Sequence, residues 1–381
     1  MEENVRVLFL SNRSAKMSKG ADAYNTRMEG LRHGLEALGM QTDTVSLRAL
    51  RFSRPHLAFT LNAPAIARLA QGYNVIHAGG AGAAVAAAVA RLRHPHRVIF
   101  DVHGDEVLET RLEWQVSPTP RKAYLVLQAM LLSALACRMA DLLLVVSEPF
   151  RQHYLKKGVP SERIILTRNG VDASIFSRMP PRNDGRIHIS YAGGFQAWQA
   201  IDTLIEAFAQ IDDERLQLHL IGFSPQEQSL KTVISARLGE HVTLEDWLPI
   251  ANLVERLGHA DLLIIPRTQH PAMQGGLPSK FAEYLAVGRP VIVTNVDETA
   301  TFVRQYQCGL VCGPTAESLA QGIRRAVAWS EDERQILGCN ARRLAETVFD
   351  WRVIAQDYAT ALHSIILAKE TSYGGYCAGT H

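Results

Sequence analysis

No sign of charge dominates this sequence. Lys and Arg number 40 against 38 Asp and Glu, a net charge of +2 over 381 residues, which gives no electrostatic case for nucleic acid as a partner. Cysteine is scarce: five residues, at positions 137, 308, 312, 339 and 377, scattered and odd in number. That excludes a disulfide framework and suits reduced thiols in a cytoplasm. Cys308 and Cys312 lack the second pair that a zinc site needs, so they read as structural thiols. The start, Met1-Glu2-Glu3-Asn4, has neither the basic stretch nor the small-residue cleavage site of a signal peptide. The longest apolar region, Ala123 to Val146, is broken by Gln128, Arg138 and Asp141, and reads as a buried helix followed by a strand and not as a membrane span.

What the chain does have is alternation. Apolar strand patterns fall at 5–11, 42–47, 74–78, 98–103, 142–147 and 164–167, with helical patterns between most of them, beginning with a helix from about Tyr24 to Leu38 that stops at Gly39. The stretch Arg178 to Gly185 is rich in proline, glycine and charge, as linkers are. The pattern then resumes, with strands at 187–191, 216–221, 242–244, 262–265, 291–294 and 309–312. Strands separated by helices mean parallel sheets covered on both faces. The expected organisation is a first α/β domain over 1–178, a linker over 179–186, a second α/β domain over 187–350, a helix over 351–369 and a Gly/Tyr-rich tail over 370–381. Two such halves would place a ligand cleft at the carboxyl ends of their strands.

The most chemical stretch runs from Asp261 to Asn295. Leu262–Ile265 and Val291–Thr294 read as strands on either side of a helix for which Ser279 is the expected N-cap and Gly288 with Pro290 the stop. Gly275-Gly276-Leu277-Pro278 opens onto that helix, and a glycine loop at a helix N-terminus presents free amides and the positive end of the helix dipole to an anion. Lys280 adds a full charge in the first turn. Glu283, about one turn deeper on the same face, could hold two neighbouring hydroxyls such as those of a ribose. A solvated Lys–Glu pair on an ordinary helix fits the spacing equally well.

The first half offers rival signals. Gly79-Gly80-Ala81-Gly82 follows one strand, and Asp101 ends the next, which approximates a dinucleotide fingerprint; Val85 stands where a small residue is wanted, so NAD binding is a partial match. His103 in Asp101-Val102-His103-Gly104-Asp105 could donate to a sugar hydroxyl or be held in place by a neighbouring carboxylate. Asn169-Gly170 reads as a turn signal with a structural role. The basic and apolar segment 48–59 could touch an anionic membrane surface or form a solvated edge.

Taken in order, these motifs resemble the retaining glycosyltransferase family four, of GT-B fold. The resemblance is carried by the early loop at Gly20, the strand ending in D-V-H-G-D from Asp101, A-D-L-L-L-V-V-S from Ala140, N-G-V-D from Asn169, Y-A-G-G-F-Q-A-W-Q-A-I-D-T-L-I-E-A-F from Tyr191, and G-L-P-S-K-F-A-E-Y-L-A-V-G-R-P-V-I from Gly276. It implies two Rossmann-like, doubly wound parallel-sheet domains facing a central cleft. It also implies transfer of a hexose-type sugar from a UDP- or GDP-sugar to a glycan, lipid-linked or small-molecule acceptor, with retention and without metal or cofactor. On this likeness Lys280 and Glu283 bind diphosphate and ribose, and His103 contacts the donor sugar. Gly193, Gly194, Gln199, Gly222, Leu248, Arg267, Gly275, Gly276, Leu277, Pro278 and Ser279 surround the donor, and Gly20 and Asp105 face the acceptor. The last helix would cross back to the first domain.

Two departures from that pattern stand out. Gly275 occupies the place of a glutamate that contacts the donor sugar, eight residues before Glu283. Phe195 and Gln199 stand near the places of an arginine and a lysine, and Ala200 replaces a glycine. Lost cations at a diphosphate site weaken charge stabilisation, which Lys280 and Arg267 would have to restore. The departures keep open a catalytically weakened scaffold that serves as a sugar-binding or partner subunit, beside the NAD-dependent oxidoreductase that Gly80, Gly82 and Asp101 suggest. Localisation is expected to be cytoplasmic, with peripheral contact at the inner membrane face through 48–59 as a variant.

Overall fold

The structure is a computed structural model that describes residues 5–11, 23–47, 50, 61–177, 179–180, 182, 184–270, 273 and 275–373. Twelve strands are formed among these residues: β1 (Arg6–Ser11), β2 (Gln41–Ser46), β3 (Val75–Gly79), β4 (Arg97–Val102), β5 (Leu142–Val145), β6 (Ile164–Leu166), β7 (Ile187–Ala192), β8 (Leu216–Phe223), β9 (Val242–Asp246), β10 (Leu262–Ile265), β11 (Val291–Thr294) and β12 (Gly309–Cys312). They are short and apolar because both faces of each sheet are covered by helices. β3, β5, β7, β8, β10 and β11 are buried at every position.

The strands pair in parallel into two sheets of six, ordered β2-β1-β3-β4-β5-β6 and β12-β11-β10-β7-β8-β9. One compact unit takes β1, Tyr24–Arg168 and the chain from Trp351, and the other takes Asn169–Asp350. The stretch 169–177, expected with the first half, therefore packs with the second. Val171 bridges to Asp350, and the Arg342 guanidinium donates to the carbonyls of Ala173 and Phe176.

In the first unit the last helix, Trp351–Tyr373, lies against the helix Ala23–Ala37. Glycine makes the approach possible: a Cβ on Gly30 would stand 2.2 Å from the Trp351 ring, and one on Gly34 would stand 2.4 Å from the Ala355 methyl. The apolar region read as helix then strand is the helix Pro120–Met139 followed by β5, but only part of that helix is buried.

Candidate functional site

In the second unit the sheet order reverses between β7 and β10. Open α/β sheets bind ligands beyond the carboxyl ends of the strands at such a switch point. β7 runs there into Gly193-Gly194. Gly193 takes φ 141° and Gly222, at an irregularity in β8, takes φ 121°, both in the region that favours glycine. A Cβ on Gly222 would stand 2.5 Å from the Gly193 carbonyl oxygen, and one on Gly193 would stand 2.4 Å from Lys280 Nζ. The two glycines let the turns meet and leave a seat for the lysine amine.

Lys280 is buried in the first turn of the helix Ser279–Val287. Its Nζ donates to the Tyr191 hydroxyl at 2.8 Å and to Gln199 Oε1 at 3.2 Å, and lies 4.0 Å from the Tyr191 ring centroid. The Tyr191 hydroxyl in turn donates to the Gly194 carbonyl at 2.6 Å. Burial, reinforced by the Arg267 charge and only partly opposed by Glu283, pulls the Lys280 ammonium down to about 7. The amine is thus poorly compensated by the protein itself. Glu283 is half-buried, and burial, against the pull of Lys280, raises its carboxyl above the usual range.

The helix carrying Lys280 begins one residue earlier in capping terms than its sequence suggests. Pro278, not Ser279, is the cap, and no side chain closes the N-terminus, because proline offers no acceptor there. Gly288 ends the helix in the left-handed conformation expected of it. Gly275 and Leu277 are buried and Gly276 lies beside the Arg267 guanidinium, 3.5 Å from where its Cβ would be. Arg267 follows β10. Its Nη1 pairs with the buried Asp297 at 2.9 Å, and its backbone is clasped on both sides by the Thr294 hydroxyl. A second cation is thereby held beside the glycine loop.

Other residues singled out in the sequence take clear places. Asn169 does more than turn the chain: its Nδ2 donates to the Leu277 carbonyl at 2.7 Å and so pins the glycine loop. Phe195 stacks on Phe223 with centroids 4.0 Å apart, so an aromatic contact stands near a position expected to be cationic. Leu248 packs against the apolar core of this unit. Ala200 is left-handed at φ 50°, as the glycine it replaces would be. Replacing Ala200 by glycine should therefore raise stability by about 0.5–1 kcal/mol, since a left-handed alanine costs roughly 1–2 kcal/mol and glycine returns part of that as unfolded-state entropy; a urea midpoint that does not rise would refute the strain. Nothing local in the sequence marks Tyr191 or Asp297. The first read as one more buried strand residue, and the second pairs with Arg267 only through the folded sheet.

In the first unit Asp101 is fully buried and its carboxylate accepts from Arg27 Nε at 2.9 Å and Nη2 at 2.8 Å. Burial would push this carboxyl up, but the Arg27 guanidinium and then His77 hold it well below the usual range. The glycine-rich turn at Gly80 leads into a helix whose first amide, Ala81, donates to Glu106 at 3.2 Å. The dinucleotide reading is corrected on both counts: the acid meant for a ribose is spent on Arg27, and the turn meant for a pyrophosphate already holds a carboxylate. His103 is half-buried with Nδ1 at 3.8 Å from Asp101 Oδ2. Asp105 caps the helix Glu106–Val116, accepting from the amides of Val107 and Leu108, and lies 3.3 Å from His153. Gly20, the tail from residue 374 and the segment 48–59 apart from Leu50 lie outside the described residues. Burial raises the Cys308 thiol to about 12 and the Cys312 thiol to about 11, as inert structural cysteines require. Among the described residues no three His, Cys, Asp or Glu side chains are grouped to hold a metal.

Residues 27–175 match the family described as Glycosyltransferase Family 4, and residues 186–328 match Glycosyl transferases group 1. The chain belongs to the GT-B glycosyltransferases. Among curated relatives of this GT-B chain, the putative colanic acid biosynthesis glycosyltransferase WcaL of Escherichia coli is 27% identical over 234 residues, 60% of this chain and 58% of the relative. The amylovoran biosynthesis glycosyltransferase AmsK of Erwinia amylovora is 23% identical, over 59% of this chain and 56% of its own. The chain thus spans somewhat over half the length of the curated relatives it matches. Among solved structures, a sucrose-phosphate synthase from Thermosynechococcus elongatus superposes with a TM-score of 0.77 at 20% identity, covering 96% of this chain and 100% of the other. Anabaena HepE in complex with UDP-glucose superposes with a TM-score of 0.70 at 18% identity, covering 94% and 99%. These likenesses establish the GT-B fold.

Proposed function

We propose that the protein is a retaining glycosyltransferase that moves a hexosyl group from a UDP- or GDP-sugar to a glycan, lipid-linked or small-molecule acceptor, without a metal or cofactor. The observation that carries this is the buried, undercompensated Lys280 amine seated on Gly193 beside an uncapped helix N-terminus. Such a site gains most from an anion of high charge, and a nucleotide diphosphate supplies one. The UDP-glucose complex of HepE supports uridine as the base. The colanic acid and amylovoran relatives support an acceptor in extracellular or envelope polysaccharide synthesis, and with it action at the cytoplasmic side of the membrane.

In this reading the bond from the anomeric carbon to the diphosphate breaks while the acceptor oxygen adds on the same face, and a departing phosphate oxygen takes the acceptor proton. Lys280, the helix N-terminus, the amide of Gly194 and Arg267 hold the charge that develops on the leaving group; the amides of Gly193 and Gly276, expected from the sequence to face the diphosphate, donate instead to the carbonyls of Ile221 and Met273. Glu283 accepts from ribose hydroxyls, with Gly222, Gln199, Leu277, Pro278 and Ser279 shaping the donor site. His103 contacts the donor sugar and Gly20 serves the acceptor; Asp105, expected from the sequence on the acceptor side, is buried and spends its carboxylate on the Val107 and Leu108 amides and His153.

Binding of UDP or GDP should take up a proton. In the free protein Lys280 titrates at about 7; a diphosphate beside it favours the ammonium and raises that value. Affinity then falls as pH rises above 7, where the free protein loses the ammonium. Calorimetry in buffers of different ionisation enthalpy measures the uptake directly, and binding that releases protons or is independent of pH between 7 and 9 would overturn the assignment.

Phe195 and Gly275 favour a second reading, a weakened scaffold that binds the nucleotide without turning it over. Purified protein that binds UDP with proton uptake, yet neither transfers nor hydrolyses any sugar donor, would support it.

A further inference from the structure

A lysine ammonium carries three hydrogens, and the neutral amine two hydrogens and a lone pair, so the partners of Lys280 Nζ decide what it can offer a ligand. Two positions go to acceptors on different elements: the Tyr191 hydroxyl near the end of β7, at 2.8 Å, and Gln199 Oε1 in the short turn Ala197–Gln199, at 3.2 Å. The Tyr191 hydroxyl spends its own hydrogen on the Gly194 carbonyl at 2.6 Å, and burial holds it well above the usual phenol range, so it keeps that hydrogen. Toward Lys280 it can only accept.

The same two contacts therefore serve the neutral amine and the ammonium. Only the remaining tetrahedral position changes, from a lone pair that repels an anion to an N–H that binds one. Nζ also lies 4.0 Å from the Tyr191 ring centroid and against Gly193, where a Cβ would stand 2.4 Å away, so the nitrogen has little room to turn. Among the described residues the charged groups that act on it are Arg267, after β10, and Glu283, on its own helix. We propose, on the reading of the donor site given above, that Tyr191 is a positioning residue: with Gln199 it holds two Lys280 N–H groups and reserves the third for the diphosphate.

Tyr191→Phe keeps the ring and removes only the hydroxyl. Losing one hydrogen bond to a charged group makes the ammonium about tenfold harder to form. In the parent, where the amine titrates at about 7, UDP or GDP should bind at pH 7 with uptake of about half a proton, read by calorimetry in buffers of different ionisation enthalpy. In Tyr191→Phe the uptake should approach about 0.9, and affinity should fall about twofold at pH 6 and about tenfold at pH 8. Gln199→Met, which removes the other oxygen, should shift both in the same direction. The control Tyr284→Phe removes a buried hydroxyl bonded to Ala192 and not to Lys280; it should lower Tm and leave uptake as in the parent. Uptake and affinity in Tyr191→Phe that match the parent overturn the positioning role and leave the donor site standing; should that variant not fold, a Gln199→Met that matches the parent does the same. A shift of equal size in Tyr284→Phe also overturns it, because loosened packing would then account for the change. A parent that binds neither nucleotide, or binds without proton uptake, overturns the donor site and the positioning role together.

Discussion

Lys280→Ala should lower turnover by about 10²–10³-fold, the loss seen when one preorganised charge or donor is taken from a developing oxyanion. The effect belongs in kcat more than in KM, because charge on the leaving diphosphate is greatest as the bond to the anomeric carbon breaks. Lys280→Arg should not rescue it. The amine sits within 2.4 Å of where a Gly193 Cβ would be and is bonded to Tyr191 and Gln199, and a planar guanidinium is too large for that seat. The opposite sign is expected for stability. The folded-state value of Lys280 is depressed to about 7, so the folded protein binds fewer protons than the unfolded chain between pH 7 and the ordinary lysine range, and stability falls as pH drops across that window. Lys280→Met keeps the aliphatic stem and removes the titration, so it should melt higher than the parent at pH 7 while turning over as poorly as the alanine variant. An enzyme slowed less than about threefold, within what an exposed surface charge could do, would remove Lys280 from the mechanism.

Much of this site could be read from residues close together in the chain. Gly275-Gly276-Leu277-Pro278-Ser279-Lys280 is local, and its glycines, proline and lysine each imply a conformation or a charge without reference to anything distant. The buried strands could be read for the same reason, since a run such as Leu262–Ile265 has one place to go in a parallel sheet. What could not be read depends on register. Arg267 finds Asp297 because β10 and β11 pair in parallel, which brings the loops after them together. Tyr191 follows the alternation of its strand and differs from its neighbours only in carrying a hydroxyl that supports Lys280. Asp101 cannot be assigned from sequence, because an acid near the end of a strand looks the same there whether it faces a ribose or an arginine. Residue type points to Ser279 as the cap, yet Pro278 fixes the extended conformation that a cap requires, at φ −66° and ψ 134°, one residue sooner.

Arg27→Met should destabilise the first unit by about 3–5 kcal/mol, the cost of leaving a buried carboxylate without its partner. Arg27 and Asp101 are 1% and 0% exposed, so water cannot replace the lost contact. Beyond Asp101, the same guanidinium donates to the carbonyls of Thr167 and Arg168 at 2.9 Å each, so contacts to three residues go with it. The loss depends on pH in a defined direction. In the parent, Asp101 lies well below the ordinary carboxylate range, and its contribution is present above that range and fades only as pH falls through the depressed value. In the variant, burial acts unopposed by Arg27 and raises the carboxyl, so protonation relieves the penalty as pH falls toward 4. The difference between parent and variant should thus be largest near pH 7 and smallest in mild acid. His77 decides how much remains. Ionised Asp101 only accepts, so His77 Nε2 carries a hydrogen toward it at 3.2 Å, which for a neutral ring leaves Nδ1 to accept from the Tyr358 hydroxyl at 2.8 Å. That chain ties β3 and β4 to the C-terminal helix, and it survives in the variant. Adding Asp101→Asn to Arg27→Met removes the stranded charge and should recover part of the stability at pH 7 and none at pH 4. Urea unfolding of the two single variants and the double variant at both pH values measures the coupling, and a loss that is the same at pH 7 and pH 4 would show that packing, not charge, is what Arg27 supplies.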